Sequence, residues 1–225
     1  NVAGPGYWQK EAIYSGYLLW EDAVHIIMSQ MELEMYYVQI CLQKERKNKM
    51  GEIIHEMITE KQITDRIREM AEQISKDYEG KEIRIVCILK GSVFFCAELA
   101  KRLTVPVTID FMQVSSYGDK TKTSGNLTVK KDLDDQVEGL HCIVIEDIVD
   151  SGYTLSLTKK MLLARNPASL KLCTLLDKPD RRETEIEAEY TGFVIPDKFV
   201  VGYGLDYAQK YRNLPYIGEV EFIED

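Results

Sequence analysis

The chain has 225 residues, of which 45% are hydrophobic and 29% charged, and its formal net charge is −9. This length and composition are typical of a globular protein with a sizeable core, and the five cysteines form no C-x-x-C pair of the kind that zinc or dithiol redox sites use. The acidic balance argues against broad electrostatic binding to nucleic acid or to anionic membranes.

Residues 1–50 differ in pattern from the rest of the chain. An apolar residue recurs every three or four positions at Met28, Met31, Met35, Val38 and Leu42. This spacing predicts an amphipathic helix that packs on another surface, with a dimerisation or membrane-surface helix as the alternative. We therefore separate an N-terminal extension, residues 1–50, from a second domain, residues 51–225.

From residue 51 the sequence alternates between helical and strand patterns. A first helix is predicted from the spacing of Ile63, Ile67, Met70 and Ile74, with Thr59 or Thr64 as its cap. Strands are predicted at 83–89, 105–111, 142–147, 170–176 and 194–203, helices at 90–103 and 154–165, and a long polar loop at 113–126. Apolar strands that alternate with helices indicate an α/β fold with a parallel sheet covered on both faces.

The unusual segments of the chain each follow a predicted strand end. They are KGS (90–92), EDIVDSGYT (146–154), LDKPDRR (176–182) and VGYGLDY (201–207). In open parallel sheets the ligand site lies beyond the carboxyl ends of the strands. The sequence therefore predicts one site assembled from these segments.

The segment EDIVDSGYT combines acids with a turn suited to an anion. Glu146 and Asp147 end a strand, where carboxylates bind sugar hydroxyls or Mg²⁺. The turn 150–154 enters a helix, whose first N–H groups, with the Ser and Thr hydroxyls, suit a phosphate. The turn lacks the spacing of a nucleoside-triphosphate P-loop, and a phosphorylated ribose fits it better. The simpler interpretation, a strand end followed by a helix cap, stays open at this point.

The stretch IVIEDIVDSGYT (143–154) resembles the phosphoribosyl-pyrophosphate (PRPP) signature of the type I phosphoribosyltransferases. Residues from about 51 to 225 resemble the bacterial hypoxanthine (hypoxanthine-guanine) branch of that family nearly throughout. The supporting segments are ILKGSVFF (88–95), IDFMQVSSYG (109–118), LLDKPDRR (175–182) and VVGYGLDYAQKYRNLPYIG (200–218). The resemblance implies a type I phosphoribosyltransferase fold, with a central, mostly parallel sheet flanked by helices, a small hood and a mobile lid loop.

The resemblance also implies the reaction. Phosphoribose passes from PRPP to hypoxanthine, and to guanine, as a purine nitrogen displaces pyrophosphate at C1 of the ribose. Glu146 and Asp147 are then expected to bind the ribose hydroxyls and Mg²⁺, near an oxocarbenium-like transition state that carboxylates stabilise. Asp150 is expected near the purine N7 as general base or acid, a role that a pKa closer to neutrality than that of free Asp would suit. The 5′-phosphate is expected on Asp150, Ser151, Gly152, Tyr153 and Thr154, with only a backbone role for Tyr153.

The purine contacts follow from the same resemblance. Lys178 is expected to donate to the exocyclic O6, which selects 6-oxopurines over adenine because adenine carries a donor there. Phe199 is expected to stack on the base, although its pattern alone is typical of a core residue. The backbone at Val200 and near Asp206 is expected at the other purine edge.

Pyrophosphate and the second metal complete the implied site. Asp206 is expected to bind a second Mg²⁺, and Arg212 to contact pyrophosphate. Lys90 and Gly91 are also expected at pyrophosphate, after a cis peptide bond between Leu89 and Lys90. In the lid, Ser116 and Tyr117 are expected to close over the reacting atoms and exclude water.

Partners and alternatives are expectations of the same kind. The resemblance favours a homodimer or homotetramer in the cytoplasm, with small-molecule substrates, no nucleic acid and no membrane. A PRPP-sensing regulator that binds RNA is the alternative, and it needs a basic face that an acidic chain disfavours. Lys178 and Phe199 disfavour a pyrimidine or adenine transferase. A third possibility is that residues 1–50 add partner binding to the enzyme.

Overall fold

The computed structural model describes residues 51–116 and 127–223, and residues 54–223 form one compact unit. The predicted N-terminal helix and Tyr117 lie outside the described residues, as does the side chain of Ser116. Their expected structures and roles stay predictions.

Nine strands and three helices make up the described part of the chain. The strands are β1 (Glu52–Ile58), β2 (Ile83–Ile88), β3 (Val107–Ser116), β4 (Leu127–Lys131), β5 (His141–Val149), β6 (Ser169–Asp177), β7 (Tyr190–Val194), β8 (Val200–Val201) and β9 (Ile217–Phe222). The helices are α1 (Glu60–Asp77), α2 (Val93–Ala100) and α3 (Tyr153–Leu163), and a 3₁₀ turn spans Pro179–Arg181. None of the helices in the described ranges has the length and apolar content that crossing a membrane requires.

A six-stranded sheet in the order β4-β3-β2-β5-β6-β7 lies at the centre of the fold. The four pairs from β3 to β7 are parallel, and β4 pairs antiparallel with β3 at one edge. The predicted mostly parallel sheet is therefore confirmed. Because β2, β5 and β6 run in the same direction, their carboxyl ends meet at one rim.

Strand β5 shows why the central strands read as continuous apolar runs. Ile143 and Ile145 belong to the core on one face of the sheet, together with α1 and α2, whereas Val144 belongs to the core on the other face, under α3. Successive side chains of a strand point to opposite faces, so a strand covered on both faces is apolar at every position.

Helix α1 begins where the capping signal places it. The Thr59 hydroxyl accepts from the Gln62 N–H at 3.2 Å, and the Gln62 side chain accepts from the Thr59 N–H at 2.9 Å. This capping box identifies Thr59 as the N-cap, in preference to Thr64.

A second sheet of three strands, in the order β1-β9-β8, fits the small hood. Strands β1, β4 and β9 were not predicted, because polar or charged residues interrupt their apolar positions and no long apolar run marks them. The predicted loop 113–126 is wrong at residues 113–116, which extend β3 and pair with β4. The predicted strand 194–203 is divided by a Pro196 loop into the end of β7 and the short β8.

Candidate active site

Three segments meet at the carboxyl rim of the sheet. Gly91, just after β2, lies so close to Asp147 of β5 that a Cβ built on Gly91 would stand 1.5 Å from Asp147 Oδ2. Gly204, with φ of +104°, lies against Gly91 in turn, and its Cβ would stand 1.8 Å from the Gly91 carbonyl oxygen. Only glycine permits both approaches, so these glycines draw the segments KGS, EDIVDSGYT and VGYGLDY together.

The segment that follows β2 contains the expected cis peptide bond between Leu89 and Lys90, which confirms that prediction. The hydroxyl of Ser92 donates to the carbonyl oxygen of Ile88 and fastens the turn at its base. The side chain of Lys90 is exposed at the rim. The arrangement presents one cation and a buried glycine backbone beside Asp147.

Glu146 and Asp147 place two carboxyl groups next to each other towards the end of β5. Burial raises the pKa of both carboxyl groups, and the charge of Asp147 raises that of Glu146 further. The N–H of Ile148 donates to Asp147 Oδ1 at 2.8 Å and orients that side chain. Because the ionisation of these two neighbouring carboxyl groups is unfavourable, a cation bound beside them would be stabilised.

The turn after β5 forms a cavity of about 120 Å³ at the start of α3. It is lined by Glu146, Ile148, Val149, Asp150, Ser151, Gly152, Tyr153, Thr154 and Leu155. The N-cap residue of helix α3 is Gly152, which has a φ of +78° and no side chain to cap the helix. The Tyr153 N–H donates to Ser151 Oγ at 3.3 Å. A cavity at a helix N-terminus without a side-chain cap has the geometry of an anion site.

Asp150 faces the segment that follows β6. The Nε of Arg181 lies 2.9 Å from Asp150 Oδ1, and Arg182 Nη1 donates to the Asp150 carbonyl oxygen at 3.2 Å. The first contact is an ion pair without an aligned hydrogen bond. Within the described ranges, Oδ1 is shielded from solvent and accepts no hydrogen bond. Oδ1 is therefore covered by the guanidinium, whereas 45% of the Asp150 side chain as a whole stays exposed at the rim.

Lys178 directly follows β6 and is buried, with 6% of its surface exposed, although a lone lysine after a strand is usually exposed. Its ammonium Nζ donates to the Lys198 carbonyl oxygen at 2.5 Å. The next residue, Phe199, is 45% exposed, so the core interpretation of its pattern is wrong. A fixed cationic donor and an exposed aromatic ring thus stand next to each other, with Val200 buried behind them in β8.

Phe199 belongs to a cluster of three aromatic rings. Its centroid lies 5.5 Å from that of Tyr207, edge-on, and 5.8 Å from that of Phe222. Tyr207 and Phe222 also contact each other, at 5.4 Å. Such edge contacts fix the orientation of the Phe199 ring.

Asp206 and Arg212 contact each other. Arg212 Nη2 lies 2.6 Å from Asp206 Oδ1, and Arg212 Nη1 donates to the Gly204 carbonyl oxygen at 2.6 Å. The other Asp206 oxygen accepts from the Gln209 N–H at 2.8 Å. The two residues expected at the second metal and at pyrophosphate therefore have partners within their own loop.

The magnesium site that the resemblance implies has to match the donors that are present. Across residues 51–116 and 127–223, no three His, Cys, Asp or Glu side chains converge to form a metal cage made by the protein alone. Mg²⁺ is typically held by one or two carboxylates together with substrate phosphates. The crowded oxygens of Glu146 and Asp147 fit an ion that the substrate completes.

The sequence analysis assigned no role to Arg181, Arg182, Tyr207 or Phe222. The signal for the arginines was present, since two adjacent cations follow Lys178 in a chain of net charge −9. Phe222 lies in β9, which was itself missed, so nothing linked that residue to Phe199 before the strands were paired.

Comparison with known proteins gives a broad match to one group of bifunctional proteins. TilS/HprT of Listeria monocytogenes is 44% identical over 210 residues, which cover 91% of this chain and 32% of that protein. The chain thus spans about a third of the length of this relative. The match is wider than residues 51–225 and includes part of residues 1–50.

Single enzymes match over a shorter part of the chain. The phosphoribosyl transferase domain family matches residues 55–208. Hypoxanthine phosphoribosyltransferase of Salmonella typhimurium is 46% identical over 178 residues, covering 78% of this chain and all of that protein. The crystal structure of a hypoxanthine-guanine phosphoribosyltransferase from Bacillus anthracis has a TM-score of 0.71 and 48% identity, covering 76% of this chain and 98% of its own. The chain belongs to the phosphoribosyltransferase family and, within it, to the hypoxanthine phosphoribosyltransferases.

Proposed function

We propose that the chain transfers phosphoribose from PRPP to hypoxanthine, and to guanine, giving IMP or GMP and pyrophosphate in purine salvage. The observation that carries this proposal is the position of the Lys178 ammonium, which is fixed at the carbonyl oxygen of Lys198, the residue before Phe199. A purine stacked on the exposed ring of Phe199 would therefore meet a hydrogen-bond donor, the Lys178 ammonium, at its edge. A donor suits the oxygen of a 6-oxopurine and opposes the amino group of adenine.

The phosphoribose would occupy the rim between β5 and α3. The cavity at Ser151 to Thr154 supports an assignment to the 5′-phosphate, because helix N–H groups and hydroxyls converge there. Glu146 and Asp147 would face the ribose, where their charge stabilises the positive charge that develops on the ring. Mg²⁺, held by these two carboxylates and the donor, would neutralise charge on the leaving pyrophosphate.

Asp150 would act on the proton of the base. As one imidazole nitrogen of the purine attacks C1 of the ribose, the proton on N7 has to leave, and Asp150 would accept it. The exposure of the Asp150 side chain, 45% in all, supports this role. In the reverse reaction the same carboxyl group would return the proton.

Lys90, the Gly91 backbone and Arg212 would bind pyrophosphate, with Asp206 at a second Mg²⁺. Because Arg212 already pairs with Asp206, pyrophosphate would compete with that carboxylate for the guanidinium. Ser116 and Tyr117 would close over the site as part of the lid.

A base panel tests the proposed function directly. Purified protein is incubated with PRPP, Mg²⁺ and hypoxanthine, guanine, xanthine, adenine or uracil, and pyrophosphate release is measured. Hypoxanthine should be a substrate and adenine and uracil should not, and chelation by EDTA should abolish turnover. A chain that uses adenine or uracil in preference to hypoxanthine would contradict the proposal. The RNA-binding alternative gains no support, and two of the relatives above are named as phosphoribosyltransferases.

The cellular location, the oligomeric state and the role of residues 1–50 are also proposals. Cys87, Cys96, Cys142 and Cys173 are buried free thiols, which suits a reducing cytoplasm. Light scattering on the eluting protein would distinguish a homodimer or homotetramer from a monomer. The match to the bifunctional relatives supports part of residues 1–50 as sequence shared with those proteins, and partner binding by this segment stays a proposal.

A further inference from the structure

The last residue of the 3₁₀ turn and the two residues that follow it are fastened to the turn that carries Asp150. Arg181 Nε lies 2.9 Å from Asp150 Oδ1, and Arg182 donates to the carbonyl oxygen of Asp150. The N–H of Glu183 donates to the carbonyl oxygen of Ser151 at 3.0 Å. The position of the Asp150 turn therefore depends on the segment that begins at Arg181.

Arg181 is held in turn by a second carboxylate. Its Nη1 lies 3.4 Å from Oδ1 of Asp197. The neighbouring residue, Lys198, provides the carbonyl oxygen that accepts from Lys178. The two ends of the Lys178–Arg181 turn thus contact two adjacent residues, Lys198 and Asp197. The guanidinium of Arg181 lies between Asp150 and Asp197.

These ion pairs are too exposed to be explained by a need for folding stability. The side chains of Arg181, Asp150 and Asp197 are 51%, 45% and 52% exposed. Ion pairs between exposed side chains contribute about 0–1 kcal/mol. The contact nevertheless shields Asp150 Oδ1 without giving it an aligned hydrogen bond, so it fixes that oxygen while much of the side chain stays exposed.

We propose that Arg181 is a positioning residue for Asp150, and that Asp197 fixes its guanidinium from the opposite side. The proposal rests on the proposed function, because it assumes that Asp150 accepts the proton of the purine. A general base has to lie within hydrogen-bond reach of that proton. A displacement of about 1 Å costs as much as about 10²-fold in rate. Arg181 therefore acts on turnover through Asp150, without contacting the base itself.

A double-mutant cycle in the full chain tests this role. Arg181→Ala should lower kcat about tenfold, with the KM for PRPP and the thermal midpoint Tm unchanged, and Arg181→Lys should restore part of the loss. In an Asp150→Asn background, Arg181→Ala should change kcat by no more than about twofold, because the group it positions is already disabled. The control is Arg68→Ala, which removes an exposed Arg–Asp pair of 2.9 Å on α1, and it should leave kcat unchanged.

The possible outcomes separate this proposal from the proposed function. An equal loss of kcat in both backgrounds, or no loss in either, would overturn the role of Arg181 in an otherwise active enzyme. A rise in the KM for hypoxanthine at constant kcat would also overturn it, because that result would assign Arg181 to base binding. A wild-type chain without transferase activity would instead overturn the proposed function, and this role with it.

Discussion

The guanidinium of Arg212 lies 2.6 Å from the carboxylate of Asp206, so a cation and an anion beside Gly204 neutralise each other. Both side chains are about one quarter exposed. A pair of this kind is stable without substrate and exchanges readily for a phosphate oxygen, which guanidinium groups bind well.

Replacing Arg212 should weaken binding of pyrophosphate and PRPP. We expect Arg212→Gln to raise the KM for PRPP and the inhibition constant of pyrophosphate by about tenfold, the loss of one charge-assisted hydrogen bond to a phosphate. The KM for hypoxanthine should change much less. Product inhibition kinetics measures all three constants, and an unchanged pyrophosphate constant would remove Arg212 from that site.

Asp150→Asn should keep the fold and the affinity for PRPP but lower turnover by roughly 10²-fold or more, because an amide accepts no proton. Steady-state kinetics measures the change, and Tm serves as the control for folding. Turnover near the wild-type value would exclude Asp150 as the acid or base.

Lys178→Ala should affect the base much more than the donor. The ammonium is fixed at the Lys198 carbonyl, beside the ring that would stack on the purine. Its loss should raise the KM for hypoxanthine by about tenfold or more while the KM for PRPP stays within about twofold. Equal losses in both constants would point to a structural role for Lys178.

Gly204→Ala should destabilise the chain. The new Cβ would meet the Gly91 carbonyl oxygen at 1.8 Å, and φ at this residue is +104°. We expect a loss of roughly 2 kcal/mol or more in the free energy of unfolding, measured by urea denaturation. Gly80→Ala is the matched control, since Gly80 has a φ of +74° but nothing within 4 Å of its Cβ position. Equal losses in the two variants would show that the close contact with Gly91 adds nothing.

Glu146→Gln should stabilise the metal-free chain at neutral pH. Burial raises the pKa of Glu146 in the folded chain, so ionisation costs folding free energy above the unfolded pKa and costs nothing well below it. In EDTA, the variant should melt about 2–4 °C above wild type at pH 7.5, a shift that corresponds to roughly 1 kcal/mol. The gain should shrink towards pH 4. A gain that is independent of pH would contradict the electrostatic explanation.

The sequence allowed prediction of the central strands and of the segments that meet at the rim. Ile143, Val144 and Ile145 are consecutive apolar residues, and such a run marks a strand that is covered on both faces. The ion pairs of Asp150 with Arg181 and of Asp206 with Arg212 were not predicted. These ion pairs depend on the path that the turns and loops follow in the folded chain, which residue spacing alone does not specify.

The two-sided burial of β5 has a consequence for how the site moves. The amides of Ile143, Val144 and Ile145 should exchange hydrogen for deuterium only when the whole chain unfolds, because this strand is bonded to β2 and β6 and covered on both faces. Glu146 and Asp147 continue the same strand. The carboxylates proposed to face the ribose therefore stand on a strand that is held on both edges and both faces, and adjustment to a substrate would be left to the turns on either side.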